Sequence, residues 1–142
     1  MSKTVLLTGA RGFIGSHLYE ALVQRSDWRV VASARPGRTA PGEIAVALED
    51  PLAVGRAIQA VKPDHVVHAA GRARGAAADM YRDDVVTTVG LSDAISAHAP
   101  EAILTVLGSA AEYGVPRDHR LIKEDYPGVP VSAYGCVKQA SA

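Results

Sequence analysis

The chain has 142 residues, enough for one domain over 1–142 that hides about two thirds of the surface its unfolded form exposes. Lys plus Arg and Asp plus Glu each number 15, so no net charge recommends nucleic acid or an anionic membrane as a partner. One Cys excludes an intrachain disulfide framework and fits a reducing cytosol; no apolar run reaches the roughly 18 residues of a membrane span, and no secretory core opens the chain. With one Phe and one Trp, the core must be built from Val, Ile, Leu and Ala, which suits parallel strands covered by helices. These priors predict a soluble cytoplasmic α/β domain.

The predicted elements alternate. Val5–Thr8 reads as a strand and Ile14–Arg25 as a helix with Ile14, Leu18, Ala21 and Leu22 on one face. Arg29–Ser33 is a second strand, followed by the Arg35-Pro36-Gly37-Arg38 loop, and Ile44–Leu48 a short third. Asp50 caps a helix that has Pro51 at its first position and ends near Val61, before Pro63. Asp64–His68 is the fourth strand, Ala69–Gly75 a loop of small residues, and Ala78–His98 a long helix stopped by Pro100. Ala102–Leu107 is the fifth strand, Gly114–Val131 is rich in loop, and a last helix starts near Ser132. Such alternation predicts right-handed crossovers and a doubly wound parallel sheet (a Rossmann fold) of about five strands in the order 3-2-1-4-5, with the fifth at an edge.

Thr8-Gly9-Ala10-Arg11-Gly12-Phe13-Ile14-Gly15 joins the first strand to the first helix. Gly9 allows a tight turn, Gly12 lets the backbone approach a phosphate, and Gly15 lets helix and strand pack closely. The free N–H groups and positive end of the helix then favour a pyrophosphate. Near the other end, Tyr134-Gly135-Cys136-Val137-Lys138 puts a phenol and an ammonium on one helix face at i, i+4. A nearby cation favours the phenolate, making Tyr134 a usable acid/base. Ser109 follows the fifth strand, at the carboxyl edge where open α/β sheets bind ligands.

Together these residues resemble the N-terminal part of the extended short-chain dehydrogenase/reductase superfamily, the NAD(P)-dependent sugar-nucleotide epimerases, dehydratases and reductases. Thr8–Gly15 is similar to its T-G-x-x-G-F-I-G, His68-Ala69-Ala70 to its H-x-A-A, Ser109–Gly114 to its serine segment ending in Tyr-Gly, and Tyr134/Lys138 to its Tyr-x-x-x-Lys pair. The resemblance implies Tyr134 as general acid/base, Lys138 on the nicotinamide ribose and favouring the phenolate, and Ser109 on the substrate oxygen. It implies a cofactor site of Gly9, Arg11, Gly12, Phe13, Ile14, Gly15, Ser33, Arg35, Leu48, Ala69, Ala70 and Gly71, completed by Tyr134 and Lys138. No metal is implied. The implied substrate is a small molecule, a nucleotide-linked sugar, and the implied assembly a homodimer through the helices at 78–98 and 133–142.

The departures from that pattern narrow it. Members that prefer NAD carry a carboxylate where this chain has Ala34, and Arg35 and Arg38 offer cations to a 2′-phosphate, so NADP is the expected cofactor with NAD the alternative. The Asp-Leu-x-Asp segment reads Ala47-Leu48-Glu49-Asp50, which makes Asp50 a helix cap rather than a ligand. The Asn of Asn-Val-x-Gly-Thr is Asp84 here. Ala110 and Ala111 stand where 4,6-dehydratases carry an Asp-Glu pair, which disfavours water elimination and leaves an epimerase or a 4-keto reductase. The family builds its substrate site mainly from a C-terminal region, and this chain ends four residues after Lys138. A cofactor-binding fragment or module without catalysis, and a reductase of a non-sugar ketone, are the alternatives. His17, His65, His98 and His119 lack metal-ligand spacing, His68 reads as a packed residue, and Cys136 as pointing inward. Arg72 and Arg74 are expected either on a substrate phosphate or in water.

Overall fold

A computed structural model describes residues 2–115 and 121–142; His119 lies outside them. Its strands are β1 (Lys3–Thr8), β2 (Trp28–Ala34), β3 (Ile44–Ala45), β4 (His65–His68) and β5 (Ile103–Val106). Its helices are α1 (Phe13–Val23), α2 (Pro51–Val61), α3 (Ala77–Tyr81), α4 (Thr87–His98) and α5 (Ala133–Ser141). A π-helical turn (Arg82–Val86) joins α3 to α4, and a 3-10 turn (Ala110–Tyr113) follows β5. The five strands are parallel and run β3-β2-β1-β4-β5, the expected order.

Leu6 and Leu7 of β1 point to opposite sides, as alternation along a strand requires. On one side Leu6 joins Val66 of β4 with Val54 and Ile58 of α2 and Leu91 and Ile95 of α4, all buried. On the other, Leu7 packs with Ala10 and Ala32 under Leu18 of α1. At about 1.5–3 kcal/mol for each fully buried Leu or Ile, the α2–α4 side supplies most of the hydrophobic drive. The side facing α1 is thinner: Gly15 is the buried residue of α1, and Ile14 of its expected apolar face is 54% exposed.

The ends of elements follow local chemistry. Asp50 Oδ1 accepts from the Leu52 N–H, Pro51 opens α2, and Lys62 closes it in a left-handed conformation (φ 48°) before Pro63. Ser132 Oγ accepts from the Gly135 N–H and starts α5. Two expectations change. The third strand is only Ile44–Ala45, because Val46 and Leu48 turn into the α2–α4 core. The long helix is interrupted by the π turn, which turns the Asp83, Asp84 and Thr87 side chains inward.

Candidate active site

Thr8, Ser33 and His68, the neighbouring ends of β1, β2 and β4, meet at the carboxyl edge of the sheet. A cleft of about 370 Å³ opens above them, from Gly9, Arg11 and Gly12 across Ser33, Arg35 and Arg38 to Leu48 and Glu49. Its opposite wall is Ala69, Ala70, Gly71, Asp83 and Thr87. A second recess of about 310 Å³ shares Gly12 and Ala69–Gly71 with it. That recess continues to Phe13, Ile14, Gly108, Tyr134 and Lys138.

The glycine turn has the geometry a phosphate needs. Gly9 has φ +73°, and a Cβ there would collide with the backbone of Ala69 and Ala70. A Cβ on Gly15 would collide with the Gly9 carbonyl, so the first turn of α1 presses directly on the loop. Gly12 is the N-cap of α1 and no side chain caps that helix, leaving its first N–H groups available to an anion. The residues present fit a dinucleotide: bare amides at the glycine turn, apolar Leu48 and Val46 farther out, and cations at Arg35 and Arg38. Arg11 forms a two-pronged pair with Glu43 (3.0 and 2.7 Å), pinning the loop after β2 beside the turn. That guanidinium, helped by the Ala40 N–H, holds the Glu43 carboxyl below its ordinary range.

Beneath the cleft lies a closed polar network. His68 Nδ1 is 2.7 Å from Thr8 Oγ1 and Nε2 is 3.1 Å from Thr87 Oγ1. The Thr87 hydroxyl donates to the Asp83 carbonyl, so Nε2 carries the ring proton and Nδ1 accepts from Thr8. The neutral ring thus satisfies every partner. Burial, reinforced by the Lys138 cation and opposed by Asp84, lowers the His68 pKa to about 4. His68 is a packed, hydrogen-bonded residue, as the sequence suggested.

Tyr134 and Lys138 line the second recess from one face of α5. The Lys138 ammonium donates to the Leu107 carbonyl (3.1 Å) and lies 2.7 Å from Asp84 Oδ1. Gly108 lines the recess but Ser109 does not: its Oγ accepts from the Ala111 N–H, and its own N–H donates to Glu112. The hydroxyl therefore caps the 3-10 turn and keeps its hydrogen for another acceptor. Cys136, expected inward, is exposed: at about 100° per residue it stands roughly 200° around α5 from both Tyr134 and Lys138. Arg72 lines the second recess, where its Nε donates to Asp83 (2.8 Å) and a second nitrogen lies 3.7 Å from Asp79, while Arg74 is exposed.

Of the expected cofactor residues, Gly9, Arg11, Gly12, Ser33, Arg35, Leu48 and Ala69–Gly71 line the first cleft. Phe13 and Ile14 line the second with Tyr134 and Lys138, and Gly15 acts from beneath. Sequence reasoning missed Asp83, Thr87 and Glu49 on the cleft wall. The i, i+4 spacing of Asp83 and Thr87, which puts them on one helix face, was the available signal.

This sheet order, with a bare glycine turn opening onto a cleft at the switch point, defines a Rossmann-type dinucleotide-binding fold. The chain belongs to the NAD dependent epimerase/dehydratase family, whose model matches residues 5–142. It is 34% identical over 143 residues to a dTDP-6-deoxy-L-talose 4-dehydrogenase (NAD(P)(+)) of Kitasatospora kifunensis, covering 96% of this chain and 45% of that enzyme. It is 30% identical over 149 residues to a UDP-glucose 4-epimerase of Azospirillum brasilense, covering 96% and 42%. A UDP-glucose 4-epimerase of Thermus thermophilus, solved with NAD, aligns with a TM-score of 0.81 at 27% identity, over 96% of this chain and 48% of that one. The chain spans a little under half the length of these relatives. No described helix is long and apolar enough to cross a membrane.

Proposed function

We propose that this chain forms the cofactor-binding part of an NAD(P)-dependent epimerase or 4-keto reductase of a nucleotide-linked sugar, with Tyr134 as its acid/base. One observation carries the reading: Tyr134 and Lys138 line a recess that continues directly from the cleft at the glycine turn. The dinucleotide supplies hydride chemistry at its nicotinamide, and the protein aligns it. The Gly9–Gly15 turn receives the pyrophosphate on the free amides of α1, and Ala69–Gly71 form the wall where both recesses meet. Lys138 donates to the ribose hydroxyls from the same face of α5 as Tyr134. Tyr134 passes its proton to, or takes one from, the substrate oxygen at the carbon that exchanges hydride. Ser109 stands next to Gly108 at the rim of the recess rather than in its lining, with its hydroxyl hydrogen left for a substrate oxygen that reaches the rim. Ala110 and Ala111 offer no group for eliminating water, which favours epimerisation or reduction over dehydration.

For the cofactor we favour NADP over NAD. Ser33, Arg35 and Arg38 line the cleft beside Ala34, so a 2′-phosphate meets cations there. The reading carries with it a nucleotide-sugar substrate and a cytoplasmic location, where a single cysteine stays reduced. It also carries a homodimer through the helical segments 78–98 and 133–142, where Val86 of the π turn and Val89 of α4 are exposed. Turnover of nucleotide sugars with both dinucleotides tests it. Tyr134→Phe should abolish turnover while dinucleotide binding persists; an unchanged rate removes Tyr134 as acid/base, and tighter NAD than NADP binding overturns the cofactor preference.

A further inference from the structure

We propose that Asp84 is a positioning residue for Lys138, fixing its ammonium by a buried ion pair; the inference rests on the role proposed above for Lys138. The two side chains are 54 residues apart in sequence, and both are withdrawn from water, with 11% of Lys138 and 2% of Asp84 exposed. Asp84 Oδ1 is fully buried and accepts no well-directed hydrogen bond, so the ammonium 2.7 Å away is what compensates its charge. Oδ2 accepts from the Arg72 N–H at 3.0 Å. Gly71 leaves the room: a Cβ there would come within 2.6 Å of Oδ1. The π turn brings this carboxylate inward while its neighbour Asp83 faces the first cleft. Single π turns inside α-helices recur at functional sites, where they redirect a side chain.

The charged and titratable groups around the pair are few. Tyr134 accompanies Lys138 on α5, and His68 comes from β4, held neutral. Arg72, in the loop after β4, is occupied by Asp83 of the π turn and Asp79 of α3, and Arg35 adds a longer contact to Asp83. Lys138 has three N–H donors. The Leu107 carbonyl takes one and the ammonium rests against Asp84, leaving at least one for the recess. Asp84 therefore aims Lys138 and also offsets part of its charge. A neutral Asn at this position would aim without offsetting.

The test uses Asp84→Asn, Lys138→Met and the double variant of the full chain. If the pair exists, each single variant lowers Tm, Lys138→Met more because it strands a buried carboxylate, and the double variant recovers most of that loss. Tm losses that simply add overturn the proposal. In turnover, Asp84→Asn should move the proton-transfer limb of the pH–rate profile to lower pH, since removing the carboxylate leaves the ammonium's charge unopposed beside the recess. An unmoved limb overturns the offsetting role. Dinucleotide affinity separates this inference from the one beneath it: if Lys138→Met binds dinucleotide like the parent, the ribose role of Lys138 fails while coupled Tm values still uphold the pair.

Discussion

His68 Nδ1 and Thr8 Oγ1 meet at 2.7 Å across the β1–β4 pair, directly under the loop that carries the glycine turn. The contact ties together the two strand ends that frame the cleft, and it works only for a neutral ring. Protonation would give both nitrogens hydrogens and turn Thr8 from donor into acceptor.

That requirement makes stability depend on pH. The unfolded chain titrates His68 near the ordinary 6.5, whereas burial lowers the folded value to about 4. The stabilising contribution is complete above pH 6.5. It falls as pH drops from 6.5 towards 4, because only the unfolded state takes up the proton, and it is lost below about 4. The full effect is about 3 kcal/mol. Urea unfolding at stepped pH should show this slope in the parent chain and a flatter one in His68→Gln. Equal slopes in the two proteins would remove His68 as its source.

Gly15→Ala sets two effects against each other. In a helix interior Ala is favoured over Gly by about 1 kcal/mol. Here the added Cβ runs into the Gly9 carbonyl, which is backbone and cannot rotate away. Overpacking of that kind costs about 1–3 kcal/mol, so the variant should be less stable overall and should bind dinucleotide more weakly as the turn is pushed open. A gain in Tm would show that α1 simply shifts outward.

Asp50 is the simplest check on the local reading. Its carboxylate accepts from the Leu52 N–H at 2.9 Å and leaves the cleft to Leu48 and Glu49. Asp50→Ala should therefore cost about 1 kcal/mol by denaturant unfolding and leave dinucleotide affinity unchanged. A large loss of affinity would make Asp50 a ligand after all.

What was legible in the sequence divides by range. The apolar runs and punctuating Pro and Gly residues gave the alternation, and alternation with right-handed crossovers gave the sheet order. The lining of the first cleft was legible because its glycines and Arg35 lie on loops leaving strand ends, whose position follows from topology. Illegible were features set by packing between distant segments. Nothing local stops Ile44–Leu48 from remaining a strand; burial of Val46 and Leu48 against α2 and α4 ends it. The π turn is equally silent, since its 82–86 segment holds no Gly or Pro to mark an interruption, and Asp84 was visible only as a carboxylate where an amide was expected. Cys136 faces outward because two residues from both Tyr134 and Lys138 is the far side of a helix, a placement that depends on which face of α5 packs.

Arg35→Ala isolates cofactor choice from stability. The Arg35 guanidinium lines the cleft and is 62% exposed, 3.7 Å from Asp83. Asp83 keeps a closer partner in Arg72 at 2.8 Å, so losing Arg35 strands no charge. Exposed pairs of this kind contribute about 0–1 kcal/mol, and Tm should hardly move. A charge-assisted bond to a 2′-phosphate is worth about 1.5–3 kcal/mol, so NADP affinity should fall roughly 10- to 100-fold. NAD, with a 2′-hydroxyl in the same place, should bind Arg35→Ala about as well as the parent. Isothermal titration with both dinucleotides reads the two effects in one protein. Equal losses for NAD and NADP would mean that Arg35 shapes the loop after β2 rather than reading the 2′ position.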